Sequence, residues 1–298
     1  MAVTQRVDFK SLADTYFEWV RRECAGMPSR PAIATIHLRG EGAHGSAQYR
    51  DLILKDAERL GIRFRSVEAE DEAGILEAIR SLNAAPDVQG IVVLYPLGLS
   101  RRDEDVMDLV SPAKDIEGLH SVNLGHLIKY RRFLDEKAGW KCVVPATAKA
   151  VVKTLTRYAP QRIPGAFVTI VNNSMRVGKP IGLMLENMGA TVVKCYDGTR
   201  REVLEDCVRR ADIVITAVPD PAFRLDPSWV REGAVVIDVS FQGNVDAASL
   251  EDRAALVSGP GNRVGRMTRA MIFVNLVYCC RPIPVYPLER GLPAGKSL

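Results

Sequence analysis

The chain has 298 residues, of which 47% are hydrophobic, 26% are charged and 6% are aromatic. This composition excludes a disordered or low-complexity protein, and the length suffices for one large or two medium domains. The net charge of +4 comes from basic residues spread along the chain, so we expect no nucleic-acid partner. No apolar run is long enough to span a bilayer, and the N-terminal residues lack a signal-peptide pattern. We therefore expect a cytoplasmic protein without membrane contact.

The cysteines and histidines are scattered along the chain. The 6 cysteines and 4 histidines show none of the paired spacings that are typical of zinc sites. Because no signal peptide is expected, the cysteines are predicted to be reduced thiols. No metal site is predicted.

The first part of the chain alternates short β-branched segments with longer amphipathic ones. The segment at residues 90–94 is almost continuously apolar, which is typical of a strand buried in a parallel sheet. Gly61 follows the first amphipathic segment and marks the end of a helix. The predicted elements are strands at 32–36, 64–67 and 90–94, with helices at 46–60 and 72–83 between them.

After a looser segment at residues 96–144, the alternation starts again with a helix near Pro145. Two successive series of this kind predict an α/β protein with two domains, parallel sheets and a cleft between them. The first domain, residues 1–144, is expected to be a three-layer α/β unit that the C-terminal segment, residues 269–298, completes. The second, residues 145–268, is expected to be a Rossmann-like dinucleotide-binding domain. Its predicted elements are strands at 167–171, 191–195, 213–217 and 234–239 and helices at 177–188 and 202–209. A closing helix is predicted at 266–280, and it is expected to return to the first domain.

A polar turn follows the strand at residues 167–171 and leads into a helix. Free backbone N–H groups and the helix dipole make such a turn suitable for a pyrophosphate. The spacing differs from GxGxxG, so an ordinary helix-capping turn is the alternative interpretation. The candidate cofactor-binding residues of the turn are Asn172, Asn173, Ser174, Met175, Arg176 and Val177.

The next strand ends in Asp197, roughly 20 residues after the turn. An acid at this place accepts hydrogen bonds from the ribose hydroxyls of NAD and repels the extra phosphate of NADP. The alternative is a turn role before Gly198, which is common for an Asp-Gly pair. The strand, turn, helix, strand and terminal acid together predict NAD as the cofactor.

Several further segments occur in a fixed order along the chain. They are Ser46-x-x-Tyr49, Gly90-Ile-Val-Val-Leu-Tyr-Pro-Leu97, Lys114-Asp-Ile-Glu-Gly-Leu-His120, Val177-Gly-Lys-Pro180, Gly189-Ala-Thr191, Ala211-Asp-Ile213, Gly233-Ala-Val-Val-Ile-Asp238 and Val264-Gly-Arg-Met-Thr268. In their order and spacing the chain, from about residue 32 to residue 275, resembles the methylenetetrahydrofolate dehydrogenase/cyclohydrolase family.

The chain departs from the bifunctional members of that family at the lysine that drives the cyclohydrolase step. This lysine lies four residues after the motif tyrosine, where the chain has Ile53 after Tyr49. Lys55 lies about 200° around the helix from Ile53, so it is predicted to face solvent. Leu94 replaces the family glutamine, and Glu117 replaces the usual aspartate. In these differences the chain resembles the monofunctional, NAD-dependent branch of the family.

The chemistry of the two activities explains why one of them survives these changes. Hydride transfer from methylenetetrahydrofolate to a nicotinamide releases no proton, so it can depend on proximity and electrostatics. Hydrolysis of the methenyl product needs water activation and proton transfers. With Ile53 and Leu94 in the two positions, we expect a dehydrogenase whose cyclohydrolase activity is lost or very weak.

The resemblance also implies roles for individual residues. Tyr49 is expected to flank the folate ring, and Glu117 to hydrogen-bond the pterin; these two are the predicted catalytic residues. The substrate is a reduced folate, and the resemblance implies a homodimer. The remaining predicted substrate-binding residues are Ile53 and an apolar floor of Leu94, Tyr95, Pro96 and Leu97, and Val218, Pro219 and Phe241 are expected to pack against the cofactor.

Three alternatives stay open at this point. The chain is a bifunctional enzyme with a relocated base, for which Lys55 is the nearby candidate. It is a folate- or dinucleotide-binding protein that has lost turnover. Or it is an NAD-dependent dehydrogenase that acts on another one-carbon carrier or a small acid.

Overall fold

The computed structural model of the chain describes residues 4–39, 44–258 and 264–281, with the side chains of residues 44–46 outside that description. Much of the C-terminal segment predicted to complete the first domain, residues 282–298, lies outside the described residues. No helix in these described ranges is long and apolar enough to cross a membrane.

The first domain contains a parallel sheet of three strands. The chain starts with β1 (Gln5–Arg6) and α1 (Phe9–Ala25), and then alternates β2 (Ala32–Leu38), α2 (His44–Leu60), β3 (Arg63–Ala69), α3 (Glu72–Ala84) and β4 (Gly90–Val93). The strands of this sheet lie in the order β3-β2-β4. The short α4 (Asp103–Met107), α5 (Ser121–Ile128) and the hairpin β5 (Phe133–Asp135) and β6 (Trp140–Lys141) follow.

The second domain contains a parallel sheet of six strands in the order β1-β11-β10-β9-β7-β8. Because β8 and β9 lie on opposite sides of β7, the chain reverses direction across the sheet there and opens a crevice at the carboxyl ends of the strands. The elements are α6 (Ala146–Tyr158), β7 (Phe167–Val171), α7 (Gly178–Glu186), β8 (Thr191–Cys195), α8 (Arg201–Arg210), β9 (Ile213–Thr216), β10 (Val235–Asp238), β11 (Leu256–Val257) and α9 (Val264–Cys279).

The predicted alternation of strands and helices is confirmed in both domains, but the N-terminus lies elsewhere than expected. β1 pairs with β11 through hydrogen bonds from Gln5 N to Ala255 O (3.0 Å) and from Val7 N to Val257 O (3.1 Å). The first residues therefore extend the sheet of the second domain, although the sequence predicts that they belong to the first domain, residues 1–144. A two-residue strand has no periodicity of its own, so only the long-range pairing defines it.

The segment at residues 96–144 is also more ordered than its composition indicates. It contains α4, α5 and the β5–β6 hairpin, which are each too short to give a strong periodic signal. This segment connects the two sheets and carries Glu117 between them.

One hydrophobic core extends through both domains. Its buried residues include Ile33 and Val92 of the first sheet and Val168 and Ile213 of the second. The last helix, α9, lies in this core against α1 and α6, and the ring of its Phe273 lies 6.2 Å from that of Phe17. We conclude that α9 joins the two domains rather than belonging to one of them.

A buried ion pair fixes α9 against α2. Arg269 Nε of α9 donates to Asp56 Oδ2 at 2.6 Å, and both side chains are at most one-tenth exposed. Because each charge is removed from water, each depends on the other for its compensation.

We expect the substitution Arg269→Met to lower the free energy of unfolding by about 3–5 kcal/mol, because it leaves the Asp56 carboxylate buried without its partner. Urea denaturation followed by circular dichroism measures this loss. The double variant Asp56→Met/Arg269→Met is expected to recover most of it.

The matched control is Arg80→Met, which removes an exposed ion pair with Glu77 on α3. Exposed pairs contribute only about 0.2–1 kcal/mol. If Arg269→Met were no more destabilising than this control, the buried pair would not hold α9 in place.

Candidate functional site

A cavity of 420 Å³ lies between the two domains. Its volume is within the range of about 300–1,000 Å³ that is usual for small-molecule sites. The carboxyl ends of strands from both sheets open into it, and α9 closes one side. Its lining includes Tyr49, Leu94, Tyr95 and Glu117 of the first domain, Arg176, Val177, Val239 and Phe241 of the second, and Thr268 and Ile272 of α9.

Glu117 is held at the wall of this cavity by hydrogen bonds to two elements. Its Oε2 accepts from Val93 N at 3.2 Å, and its backbone carbonyl accepts from Ala146 N at 2.9 Å. The next residue, Gly118, has φ of +76°, and a Cβ there would lie 2.4 Å from the carbonyl carbon of Val144. Only glycine therefore permits the turn that directs Glu117 into the cavity.

The surroundings of Glu117 raise its pKa to about 7. Burial is the main cause, since it disfavours the carboxylate, and the charge of Asp115 acts in the same direction. The Arg176 guanidinium and the Val93 N–H act in the opposite direction. Glu117 is thus a carboxyl group that changes its charge near neutral pH, at the place where the two domains meet.

Two tyrosines flank Glu117 in the same cavity. Burial, and then the charge of Glu117, raises the pKa of both Tyr49 and Tyr95 far above the usual range, so both rings keep their hydroxyl protons. The Arg176 guanidinium lies 5.3 Å from the centroid of the Tyr95 ring. The cavity therefore combines aromatic faces, a titratable carboxyl group and one cation from the second domain.

Three of the predicted substrate-binding residues do not line this cavity. Ile53 is fully buried in the hydrophobic core, and Leu97 packs inside the first domain. Pro96 is exposed on the surface. After β4 ends the chain turns back, so that only Leu94 and Tyr95 of the predicted apolar floor face the cavity. The prediction for Lys55 is confirmed, since this residue is exposed.

Asn172 organises the turn that follows β7. Its Oδ1 accepts hydrogen bonds from Ser174 N, Ser174 Oγ and Gly178 N, each at 2.9 Å, and its Nδ2 donates to Ala217 O at 2.7 Å. A Cβ at Gly178 would lie 2.1 Å from the carbonyl oxygen of Asn172, so glycine is required at this close approach. The side chain of Asn172 thus shapes the turn from within, a role that the sequence pattern did not indicate.

The other predicted residues of the turn surround its open side. Ser174 is exposed, whereas Asn173 and Met175 are half-buried. Arg176 and Val177 extend into the cavity between the domains. The turn therefore reaches from the crevice of the second sheet to the site around Glu117.

Asp197 lies exposed directly after β8, as its place in the sequence predicts. The following turn is fixed by Thr199, whose Oγ1 accepts from Tyr196 N at 2.9 Å and whose N donates to Tyr196 O at 2.8 Å. Within the described residues the Asp197 carboxylate has no hydrogen bond or ion pair, so it can meet a ligand at the carboxyl edge of the sheet.

The segments after β9 and β10 complete the crevice. Asn244 clamps the backbone of Val218, accepting from Val218 N at 2.8 Å and donating to Val218 O at 3.1 Å. Asp238 in turn accepts from Asn244 N at 2.6 Å. Pro219 is exposed, and Phe241 is 76% exposed at the mouth of the cavity. Asn244 and Asp238, which hold this part of the crevice, were not among the residues predicted from the sequence.

The described residues contain no cluster of three histidine, cysteine or acidic side chains that is suitable for a metal ion. The residues that face the cavity and the crevice are instead suited to an organic substrate and a dinucleotide. Together, the six-stranded parallel sheet, the turn after β7 and the adjoining cavity define a two-domain enzyme that binds NAD(P).

Two family models match the chain. The catalytic domain of tetrahydrofolate dehydrogenase/cyclohydrolase matches residues 7–117, and the NAD(P)-binding domain of the same family matches residues 145–282. The bifunctional protein FolD of Methanoculleus marisnigri is 33% identical over 282 residues, which cover 90% of this chain and 94% of that protein. FolD 1 of Geobacter metallireducens is also 33% identical, over 90% and 95% of the two chains. The chain belongs to the tetrahydrofolate dehydrogenase/cyclohydrolase family.

Solved structures agree with this assignment. The 5,10-methylenetetrahydrofolate dehydrogenase of the silkworm Bombyx mori has a TM-score of 0.82 and 29% identity, covering 93% of this chain and 97% of that one. The Trypanosoma brucei dehydrogenase-cyclohydrolase, solved with NADP and an inhibitor, has a TM-score of 0.83 and 27% identity, over 94% and 98% of the chains. The NAD-dependent enzyme of Saccharomyces cerevisiae shares the fold, with a TM-score of 0.84 and 24% identity, over 94% and 98%.

These relatives confirm the resemblance and the predicted fold class. They also support an oxidoreductase of one-carbon metabolism that binds a tetrahydrofolate and NAD(P). They include bifunctional enzymes, an NAD-dependent enzyme and an NADP complex, so the finer choice depends on the residues of this chain.

We expect the Glu117 carboxyl group of the free protein to titrate near pH 7, because burial disfavours its charge. Carbon-13 NMR of glutamate-labelled protein measures this, with Glu117→Gln to assign the signal. Since the folded pKa lies above the unfolded one, Glu117 lowers the stability progressively as the pH rises from about 4.5 to about 7.

Arg176→Met is expected to raise the pKa of Glu117 further, because it removes the charge that favours the carboxylate. The matched control Arg101→Met removes a guanidinium that pairs with Glu72 on the surface, and it should leave the signal unchanged. Titration of Glu117 near pH 4.5 in the unmodified protein would contradict the assignment.

Proposed function

We propose that this chain is a monofunctional, NAD-dependent methylenetetrahydrofolate dehydrogenase whose cyclohydrolase activity is lost or very weak. The observation that carries the proposal is the position of Ile53. It stands where bifunctional members have their lysine, it is fully buried, and the nearby Lys55 is exposed. The first domain therefore brings no lysine to the cavity in the described residues.

The wall of the first domain supports a reduced folate as substrate. The Glu117 carboxylate is an acceptor suited to the amino and ring N–H groups of a pterin. Tyr49 and Tyr95 offer aromatic faces beside it, and Leu94 adds an apolar surface. Donation by the pterin to Glu117 would favour its carboxylate form and so lower its pKa on binding.

The crevice of the second domain supports a dinucleotide. The open turn at residues 172–177 would hold the pyrophosphate with its N–H groups, because Asn172 keeps that turn in shape from within. Exposed Asp197 would accept from the ribose hydroxyls, and Phe241 and Val218 would pack against the ring systems. When bound, NAD supplies the acceptor for a hydride from the methylene carbon of the folate.

In this arrangement the residues of the chain position the two ligands and shield them from water. They do not exchange protons with them. Tyr49 and Glu117 orient the folate, while Val239 and Phe241 limit access of water from the second domain. Proximity of this kind lowers the barrier of a hydride transfer without a general base. Among the described residues of the cavity, hydrolysis of the methenyl product has no comparable residue, because Glu117 is occupied by the pterin.

A bifunctional enzyme is the second candidate, since the curated relatives at 33% identity carry that name. The homodimer that the resemblance implies and the cytoplasmic location that the N-terminal sequence predicts stay predictions, which sedimentation and cell fractionation can test.

With methylenetetrahydrofolate and NAD, we expect NADH to form while the methenyl product disappears no faster than it does without enzyme. The physical reason is that the part of the cavity lining that the structure describes offers no further group to activate water beside the substrate. Parallel absorbance measurements of NADH and of the methenyl product follow both reactions.

The control is the same concentration of Glu117→Gln, which is expected to keep the fold because glutamine has nearly the same size, but which lacks the pterin-binding carboxylate. Added methenyltetrahydrofolate should decay at the same rate with either protein. Faster decay with the unmodified protein would favour the bifunctional candidate, and the absence of NADH would contradict the dehydrogenase itself.

The double variant Asn173→Arg/Asp197→Ser is expected to shift the preference from NAD toward NADP by about tenfold or more in kcat/KM. It removes the carboxylate that repels the extra phosphate and adds a charged donor, and hydrogen bonds to charged groups contribute about 1.5–3 kcal/mol. Steady-state kinetics with both cofactors measures the ratio.

The matched control Asp206→Ser removes an exposed carboxylate on α8, away from the carboxyl edge of the sheet. It should leave the ratio unchanged. A preference for NADP in the unmodified protein would overturn the assigned role of Asp197.

A further inference from the structure

A second cavity, of 380 Å³, lies along α6 beyond the folate site. Its walls come from the end of α5, the β5–β6 hairpin, α6, α7 and α9. It shares no lining residue with the cavity around Glu117. We call it the basic cavity, after the basic side chains that line it: Arg131, Arg132, Lys141, Lys149 and Lys153.

The basic cavity is lined by lysine and arginine side chains. Its lining includes no aspartate or glutamate among the described residues. Lys141 and Lys153 are exposed at its rim, whereas Lys149 is only 6% exposed at its floor. Like charges gathered around a partly enclosed space repel one another, and an anion placed between them relieves this repulsion.

Lys149 is fixed in place at the floor of the basic cavity. Its Nζ donates to Asn275 Oδ1 at 2.9 Å and lies 4.3 Å from the centroid of the Tyr278 ring. Burial, and then the charges of Lys153 and Lys141, holds the pKa of Lys149 well below its usual value. A bound anion would favour the protonated amine again.

The remaining wall of the basic cavity is apolar and aromatic. Phe133 and Tyr130 come from the hairpin side, Met184 comes from α7, and Met188 comes from the turn that follows α7. A simple inorganic ion would leave this wall without a contact. The volume is sufficient for an organic ligand with a ring system.

We propose that the basic cavity is a binding site for a nucleoside phosphate, separate from the folate and dinucleotide sites. The phosphates meet Lys141, Lys149 and Lys153, and the base packs against the aromatic wall. The ligand must carry two or more negative charges, because basic side chains approach it from both the hairpin and α6.

The test measures binding of ATP by isothermal titration calorimetry to the full chain, with NAD present at saturation. Saturating NAD is necessary because the adenine part of ATP also fits a dinucleotide site. Pyrophosphate and citrate are titrated in parallel. We expect one saturable site for each chain, with ATP bound more tightly than pyrophosphate or citrate because only ATP uses the aromatic wall.

Lys141→Gln/Lys153→Gln is the informative variant, since both side chains are exposed and their loss leaves the core intact. We expect it to weaken ATP binding by about tenfold or more, as hydrogen bonds to charged groups are lost. Lys149 is left unchanged because Asn275 depends on it. The matched control Lys129→Gln/Lys137→Gln removes the same charge from nearby exposed lysines outside the cavity.

Loss of affinity in the rim variant alone supports the proposal. An equal loss in the control would mean attraction by the overall charge, and would overturn it. Displacement of ATP by NAD or equally tight binding of citrate would also overturn the proposal. The absence of saturable ATP binding would overturn it too, and this is the result expected if a second copy of the chain covers the cavity. If the double variant did not fold, Lys141→Gln and Lys153→Gln separately would provide the same comparison.

Discussion

The hydrogen bonds of Asn275 are the constraint on which both cavities depend. This fully buried side chain of α9 donates to Ile116 O at 2.8 Å and to Val144 O at 3.0 Å, and it accepts from Lys149 Nζ at 2.9 Å. One amide thus holds three parts of the molecule: the backbone beside Glu117, the backbone of Val144 just before α6, and Lys149 at the floor of the basic cavity. A buried amide with three partners fixes the distances between these parts, because any displacement leaves a polar group without a hydrogen bond.

The core that surrounds Asn275 is continuous between the domains, which bears on how the folate site functions. Residues of both sheets and of α9 pack into one hydrophobic cluster, so the walls of the cavity approach each other before any ligand binds. A preformed cleft favours a reaction that depends on holding two molecules at a short distance. The charges of this cleft are also shared between domains, since Arg176 of the second acts on Glu117 of the first.

The sequence predicted the repeating elements well, and it predicted the side chains around them less completely. Periodicity in the chain depends on near neighbours, which is why the strands at residues 167–171 and 191–195 and the position of Asp197 were predicted correctly. Asn244 was missed as a support because its Val218 partner is a distant backbone group that no local pattern records. Asn172 also reaches a distant group, Ala217 O, although its other partners, Ser174 and Gly178, lie within six residues. The same reason explains why Pro96 and Leu97 were wrongly predicted to face the cavity: the directions of their side chains depend on the path of the chain after β4.

The sequence by itself determined the class of the protein: two α/β domains, the turn after β7, the acid after β8 and the family to which the motifs belong. Only the tertiary structure decided that Ile53 is part of the core, that β1 joins the second sheet, and that Lys149 meets other cations in a second cavity. Local sequence specifies the backbone because helices and strands form from neighbouring residues. Burial and charge are set by groups far apart in the chain, and these become neighbours only when the whole chain has packed.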